Sequence, residues 1–283
     1  MAAIDPQRPC RQRQHARSSM LYPRDRMPQA ALRPIQYPIE VAWQPDVRLS
    51  PTGIYSPCCA RRINAEQLGE IRVRYAFVNG YRVEAEKGLH GKCPCCNSDV
   101  IAKCGNFKVH HWAHKTRELC DPWWENESEW HRTWKSYFPS KSQERVFTDE
   151  KTGERHIADV YVEKNVVIEF QSYSISAEEM SARERFYQQM IWVVNGAKRD
   201  FDRIYFHQSV CGAHTDDPSL RKIRWVGRSK LLAKWEAATK HVYMDFGTDL
   251  VWHLIEYDPK TKNGLVRAYP KQKFVEFFGG IYS

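Results

Sequence analysis

Two apolar segments, HIADVYV (156–162) and VVIEFQ (166–171), are separated by only three residues, and each carries a carboxylate among its apolar positions. Both are short and rich in β-branched residues, so they read as successive strands. A three-residue hairpin loop wants a left-handed residue last, and Asn165 tolerates that conformation. Such a loop sets the register, placing Asp159 opposite Glu169. Side chains alternate along a strand, so Glu169 and Gln171 share one face while Ile168 and Phe170 pack on the other. Two carboxylates meeting at one point repel each other unless a cation lies between them. Oxygen ligands suit Mg²⁺ or Mn²⁺, and the Phe170 carbonyl is a further oxygen within the same segment. A metal held there would polarise a scissile phosphate and help deprotonate water, while the uncharged Gln171 amide could orient that water. The bland alternative is two exposed acids on a half-solvated sheet.

The surrounding pattern places this pair in a mixed fold. NESEWHRTWKSY (126–137) predicts a helix capped by Asn126 with Glu129 completing a capping box. ERVF (144–147) precedes the two strands, and Ser176 opens a second helix over 176–190. IWVV (191–194) and RIYF (203–206) read as short strands. Beyond about residue 211 the pattern predicts a helix over Ser229–Lys240 and strands at HVYMDF, LVWHLIEY and LVRAY. Upstream, IRVRYAFVNGYRVEAE (71–86) alternates around Asn79-Gly80, a strong hairpin signal. Glu127, His131 and Lys135 recur every fourth residue, hence along one helical face. They could equally form a solvated stripe beside a packed Trp130–Trp134 face.

The hairpin leads into GKCPCCNSDVIAKCGNFKVHHWAHK, where Cys93-x-x-Cys96 is followed by His111-x-x-His114. Two ligands from a tight turn and two from a second segment would complete a tetrahedral Zn²⁺ site. Cys95, His110 and Cys104 are neighbouring alternatives, and Cys58-Cys59 reads as two free thiols. A closed four-ligand set has no open position for water, so the expected role is structural.

The chain has 283 residues, nine cysteines and a formal net charge of +9. The basic balance favours a polyanionic partner, nucleic acid before membrane. No run of 18 apolar residues occurs and no apolar signal segment opens the chain, so a cytoplasmic, bacterial-type location with reduced thiols is expected.

Taken in order, CPCC, HHWAH, ESEWHRTWK, HIADV, IEFQSYSIS and the Glu179, Arg183, Tyr187 spacing resemble the CoiA-like competence nuclease family, of the PD-(D/E)xK superfamily. The resemblance covers about residues 75 to 200. It implies an α/β fold, a mixed sheet flanked by helices, with a zinc-binding module ahead of a restriction-endonuclease-like core. It also implies a metal-dependent deoxyribonuclease, with Asp159 and Glu169 as metal-binding acids. Gln171 takes the place of the usual lysine, which in the common version supplies a positive charge near the attacking water. The resemblance places the Glu127 helix beside the metal site, with His131 assisting proton transfer. Lys135, Arg183 and Tyr187 become candidate contacts to DNA phosphates. The expected organisation is a disordered basic tail (1–50), a hairpin and zinc module (51–120), a nuclease-like domain (121–210) and a C-terminal α+β extension (211–283). The expected partner is DNA, bound through its phosphates without sequence preference. A catalytically inactive nucleic-acid-binding protein on the same fold is the rival expectation.

Overall fold

The computed structural model describes residues 72–283 apart from 107–108, 116–119, 124–126 and 214–215. The expected basic tail, the Cys58-Cys59 pair and the proposed cap Asn126 lie outside the described residues. The fold is mixed α/β, with two sheets and four α-helices among the described residues.

The first sheet holds β1 (Arg72–Val73), β2 (Tyr75–Val78), β3 (Tyr81–Glu84), β4 (His90–Lys92), β5 (Asp99–Lys103) and β6 (His111–His114), in the order β1-β6-β5-β4-β2-β3. Its hairpin turns at Asn79 and Gly80, both at positive φ (51° and 83°), and pairs Val78 with Tyr81. Those angles suit the two-residue turn whose twist matches the strands.

Next comes helix α1 (Glu129–Ser136). The second sheet contains β7 (Gln143–Thr148), β8 (Arg155–Val162), β9 (Val166–Gln171), β10 (Met190–Asn195), β11 (Val210–Ala213), β12 (Leu220–Arg224), β13 (His241–Asp245), β14 (Leu250–Asp258) and β15 (Asn263–Pro270). Its order is β11-β12-β15-β14-β13-β10-β9-β8-β7. β10 runs parallel to β9 and β13, and the other pairs are antiparallel. Parallel neighbours need crossovers. Helix α2 (Ala177–Tyr187) bridges β9 to β10, and α3 (Asp200–Ser209) lies in the connection to β13. Helix α4 (Lys271–Phe277) follows β15.

Every residue of β9 is buried, as expected for a strand covered on both faces. Val166, Ile168 and Phe170 pack with Trp134 of α1 and with Phe274 and Phe278 around α4. Val167 joins Met180 and Tyr187 of α2 and Trp192 of β10. Glu169 therefore lies on a strand wedged between α1 and α2, with Asp159 on the neighbouring β8.

Several elements depart from the sequence reading. RIYF belongs to α3, not a strand; Asp202 and Phe206 are buried four residues apart, on one helical face. A four-residue apolar run does not separate the two states by itself. Residues 229–240 form turns, with Trp235 N–H bonded to Leu232 O and Ala238 N–H to Trp235 O. The second helix stops at Tyr187; Gln188 follows at φ 54°, and β10, buried from Met190 to Val194, begins at Met190. Helix α1 is capped by Ser128, with His131 closing the box.

The 211–283 segment is part of the main sheet, because β13 pairs with β10 through five residues. Asp245 anchors this union. One of its oxygens accepts hydrogen bonds from both Trp130 Nε1 and Trp134 Nε1 at 2.9 Å, and the other meets Lys271 Nζ at 2.8 Å. No helix among the described residues is long and apolar enough to cross a membrane. Replacing Asp245 by Ala strands two indole donors and a half-buried ammonium, so Asp245→Ala should cost about 3–5 kcal/mol. Urea denaturation monitored by tryptophan fluorescence would register this as a lowered midpoint.

Candidate functional site

The backbone ladder between β8 and β9 runs from Val162↔Val166 to Val160↔Ile168 and then stops. Asn165 closes the three-residue loop at φ 60°, so the register is the one that sets Asp159 against Glu169. Past the last pair the two side chains replace the ladder. Asp159 N–H donates to Glu169 Oε1 at 3.1 Å, and Phe170 N–H donates to Asp159 Oδ2 at 2.9 Å. The two acids thus line one cavity of about 500 Å³, together with Glu127, His131, Lys135 and Gln171.

Cations from both flanking helices reach these acids. Lys135 Nζ lies 2.9 Å from Asp159, 3.1 Å from Glu127 and 3.3 Å from Glu144. Arg183 meets Glu169 at 3.1 Å, and also bonds Glu179 and the Trp123 carbonyl. Neither cation points its charge to solvent: both side chains are about 5% exposed. Tyr187 is buried too, and burial reinforced by Glu169 pushes its phenol well above the usual range.

Charge balance differs across the pair. Burial, with Asp159 adding repulsion, pushes the Glu169 carboxyl up to about 8 against the pull of Arg183. Burial also works against ionised Asp159, but Lys135, His131 and the Phe170 N–H together hold that carboxyl below its usual value. Burial works against the Lys135 ammonium, yet Asp159, Glu127 and Glu144 together raise it well above the usual lysine value. Glu127 stays low because Lys135 and Arg132 overcome its desolvation.

His131 has both nitrogens engaged. The Ser128 N–H can only donate, so Nδ1 accepts, and Nε2 carries the proton toward the Phe170 carbonyl at 2.8 Å. Burial lowers its basicity. The residue clamps α1 to β9 at the acid pair, and the expected proton-transfer role has no idle nitrogen to use. Gln171 lines the cavity and its amide donates to the Tyr173 carbonyl at 3.2 Å.

In the first sheet, Cys93, Cys96, His114 and Cys120 gather with their ligand atoms within 4.8 Å of one another. Cys93 Sγ is 3.5 Å from Cys120 Sγ, and Cys96 Sγ is 3.3 Å from His114 Nε2. Tetrahedral zinc spaces such atoms roughly 3.3–3.8 Å apart, so three sulfurs and one imidazole can hold it as a structural ion. The Cys93–Cys120 contact splits the two thiols, drawing Cys93 down to about 4 and pushing Cys120 up, so one of the pair ionises readily while the other holds its proton.

The expected fourth ligand, His111, is not part of this group. Residues three apart on a strand point to opposite faces. His114 therefore turns to the cysteines, while His111 lines the acid cavity and bonds the Val109 carbonyl through Nδ1 at 2.7 Å. Strand parity was the signal that could have separated the two histidines. Cys120 gave no signal, because it stands far from any second cysteine in sequence. Glu144 was also missed: it sits at φ 46° at the start of β7, and its carboxylate accepts from Arg74 N–H at 3.0 Å.

Residues 84–122 match the family model for the N-terminal domain of competence protein CoiA. All four residues of the cysteine–histidine cluster fall inside that stretch, and together they could hold a structural metal such as zinc. The match supports assignment of the chain to the CoiA-like competence proteins and points to a competence-related role. No curated protein and no solved structure matches the chain.

Two outcomes are expected. Zinc should be retained in His111→Ala and lost from Cys120→Ser at chelator concentrations that leave the parent loaded, as measured by elemental analysis. The second concerns Glu169, whose raised carboxyl favours the protonated form in the fold. Its contribution is complete below about pH 4.5 and is lost as pH rises through about 8. Glu169→Gln should therefore gain stability relative to the parent across that window, by a few kcal/mol at most. Parallel urea titrations over a pH series check the sign.

Proposed function

We propose that the chain is a divalent-metal-dependent DNA nuclease with a PD-(D/E)xK-type core, working in DNA uptake or processing. The observation that carries this reading is the register that delivers Asp159 and Glu169 to one cavity wall, where each carboxylate takes a backbone N–H from the other's segment. The donor set is all oxygen: two carboxylates and the Phe170 carbonyl, with Glu127 on the same cavity. That composition fits Mg²⁺ or Mn²⁺ rather than a softer ion. The upward push on Glu169 fits as well, because burial and the neighbouring Asp159 charge disfavour its ionised form and a cation would relieve both.

When bound, the metal would act as a Lewis acid on the scissile phosphate and lower the pKa of a water. The chain's residues do the rest. Asp159 and Glu169 would hold the ion, His131 keeps the Phe170 carbonyl in place, and Gln171 orients water. In hydrolysis the water oxygen bonds to phosphorus as one phosphorus–sugar oxygen bond breaks. The water proton leaves to solvent, since Glu127 is held too acidic to retain it, and the departing sugar oxygen takes a proton from solvent. The net charge of +9 favours phosphate binding without base reading.

A second reading is a DNA-binding protein without turnover. It is favoured by Gln171 and by the cations already placed beside Asp159 and Glu169. Plasmid and single-stranded DNA incubated with protein and Mn²⁺ separate the two. The nuclease reading expects cleavage that requires the ion and falls at least about 100-fold in Asp159→Ala. Salt-sensitive binding with no cleavage in either protein would establish the second reading.

A further inference from the structure

Lys135 occupies an unusual place for a lysine. It lies on the inner face of α1 with its side chain 6% exposed, in a cavity that also holds the acid pair. A buried ammonium is tolerated only when its donors are met. Here its three partners are carboxylates from three different segments: Glu127 ahead of α1, Glu144 on β7 and Asp159 on β8. Its backbone position is fixed as well, because Gln143 Nε2 donates to the Lys135 carbonyl at 2.9 Å. The charge is thus delivered to one spot by a rigid helix.

Position 171 shows the complementary lack. Gln171 stands two residues beyond Glu169 on the same face of β9, lines the same cavity and carries no charge. Arg183 is the other cation beside the acid pair, but its guanidinium is also engaged by Glu179 and the Trp123 carbonyl. Lys135 holds only carboxylates, one of them the proposed metal ligand Asp159. A phosphate oxygen that approaches Asp159 Oδ1 nears the ammonium, whose charge acts on it even with its three N–H bonds taken by carboxylates.

We propose that Lys135, presented by helix α1, is the catalytic cation of the acid site, supplying the positive charge that strand position 171 does not. The proposal rests on the nuclease reading. Its role is electrostatic: the ammonium stabilises charge growing on the phosphate oxygens as water adds and the sugar oxygen leaves. It takes no proton in the step. The same placement makes Lys135 a rival of a divalent ion for Asp159. Removing it should therefore move ion binding and turnover in opposite directions, which a merely structural lysine would not do.

The test uses the full chain with zinc retained. Mn²⁺ affinity is read by electron paramagnetic resonance and cleavage by plasmid assay. Lys135→Met should bind Mn²⁺ severalfold more tightly while cleaving about 100-fold more slowly. Adding Gln171→Lys to that variant, which moves the charge to β9, should restore at least about tenfold of the lost rate. Should methionine prevent folding, Lys135→Gln, which keeps hydrogen bonding without charge, carries the same paired readout. An active parent with an equally active Lys135→Met, or a variant weaker in both properties and not rescued by Gln171→Lys, overturns the assignment of Lys135 alone. A parent that never cleaves overturns the nuclease reading and this assignment with it.

Discussion

The site depends on where the β8–β9 ladder ends. Up to Val160 and Ile168 the two strands satisfy each other's backbone groups. One step further, Asp159 and Glu169 take over, each carboxylate accepting an amide hydrogen of the opposite strand. Such bonds are charge-assisted, and a buried amide left without them would carry a desolvation cost of about 1–3 kcal/mol. The acids are therefore structural and chemical at once. They close the hairpin, and by closing it they are held a fixed distance apart with their remaining lone pairs turned to the cavity.

That arrangement concentrates negative charge where solvent is scarce, and the helices answer it. α1 brings Lys135 to Asp159, and α2 brings Arg183 to Glu169. The two answers are unequal. Lys135, helped by His131 and the Phe170 N–H, prevails over desolvation at Asp159, whereas Arg183, divided among several acceptors, does not prevail at Glu169. The cavity thus holds one firmly ionised acid and one that keeps its proton near neutrality. Burial of this kind carries a penalty that a neighbouring positive charge would relieve.

The sequence revealed local constraints better than global ones. The hairpin register could be read because a three-residue loop ending in Asn165 leaves few alternatives, and the period-two alternation then sorts Glu169 and Gln171 from Ile168 and Phe170. The Asn79-Gly80 turn was legible for the same reason. The identity of the fourth cluster ligand was not, because it depends on tertiary placement of Cys120 beside Cys93 across 27 residues. RIYF misled because four apolar residues fit either a strand or one side of a helix. The inward turn of Lys135 and Arg183 was also hidden: sequence shows a basic residue on a helical face but not the three carboxylates that converge on it from other segments. Cross-segment charge pairing has no periodicity to detect.

The two sheets meet beside the acid pair, and the cysteine–histidine cluster is tied into that contact. Residue 121 follows directly on the cluster ligand Cys120. Its carboxylate bonds His156 Nδ1 and the Ile157 N–H, both at 2.8 Å, at the start of the strand that carries Asp159. Trp123 then stacks on His156 and gives its carbonyl to Arg183, the partner of Glu169. Arg155 reaches back to the Cys95 carbonyl at 2.7 Å, and Arg74 N–H bonds Glu144, which holds Lys135. Each acid is therefore linked to the first sheet by at least one chain of short bonds. β6 adds to the same wall, with His114 on the cluster side and His111 on the cavity side. A cluster that fixes Cys120 also fixes Asp121 and Trp123, so the order of the module bears on where Asp159 and Glu169 stand. The cluster thus bears on the acid pair through position, by way of β8 and Arg183.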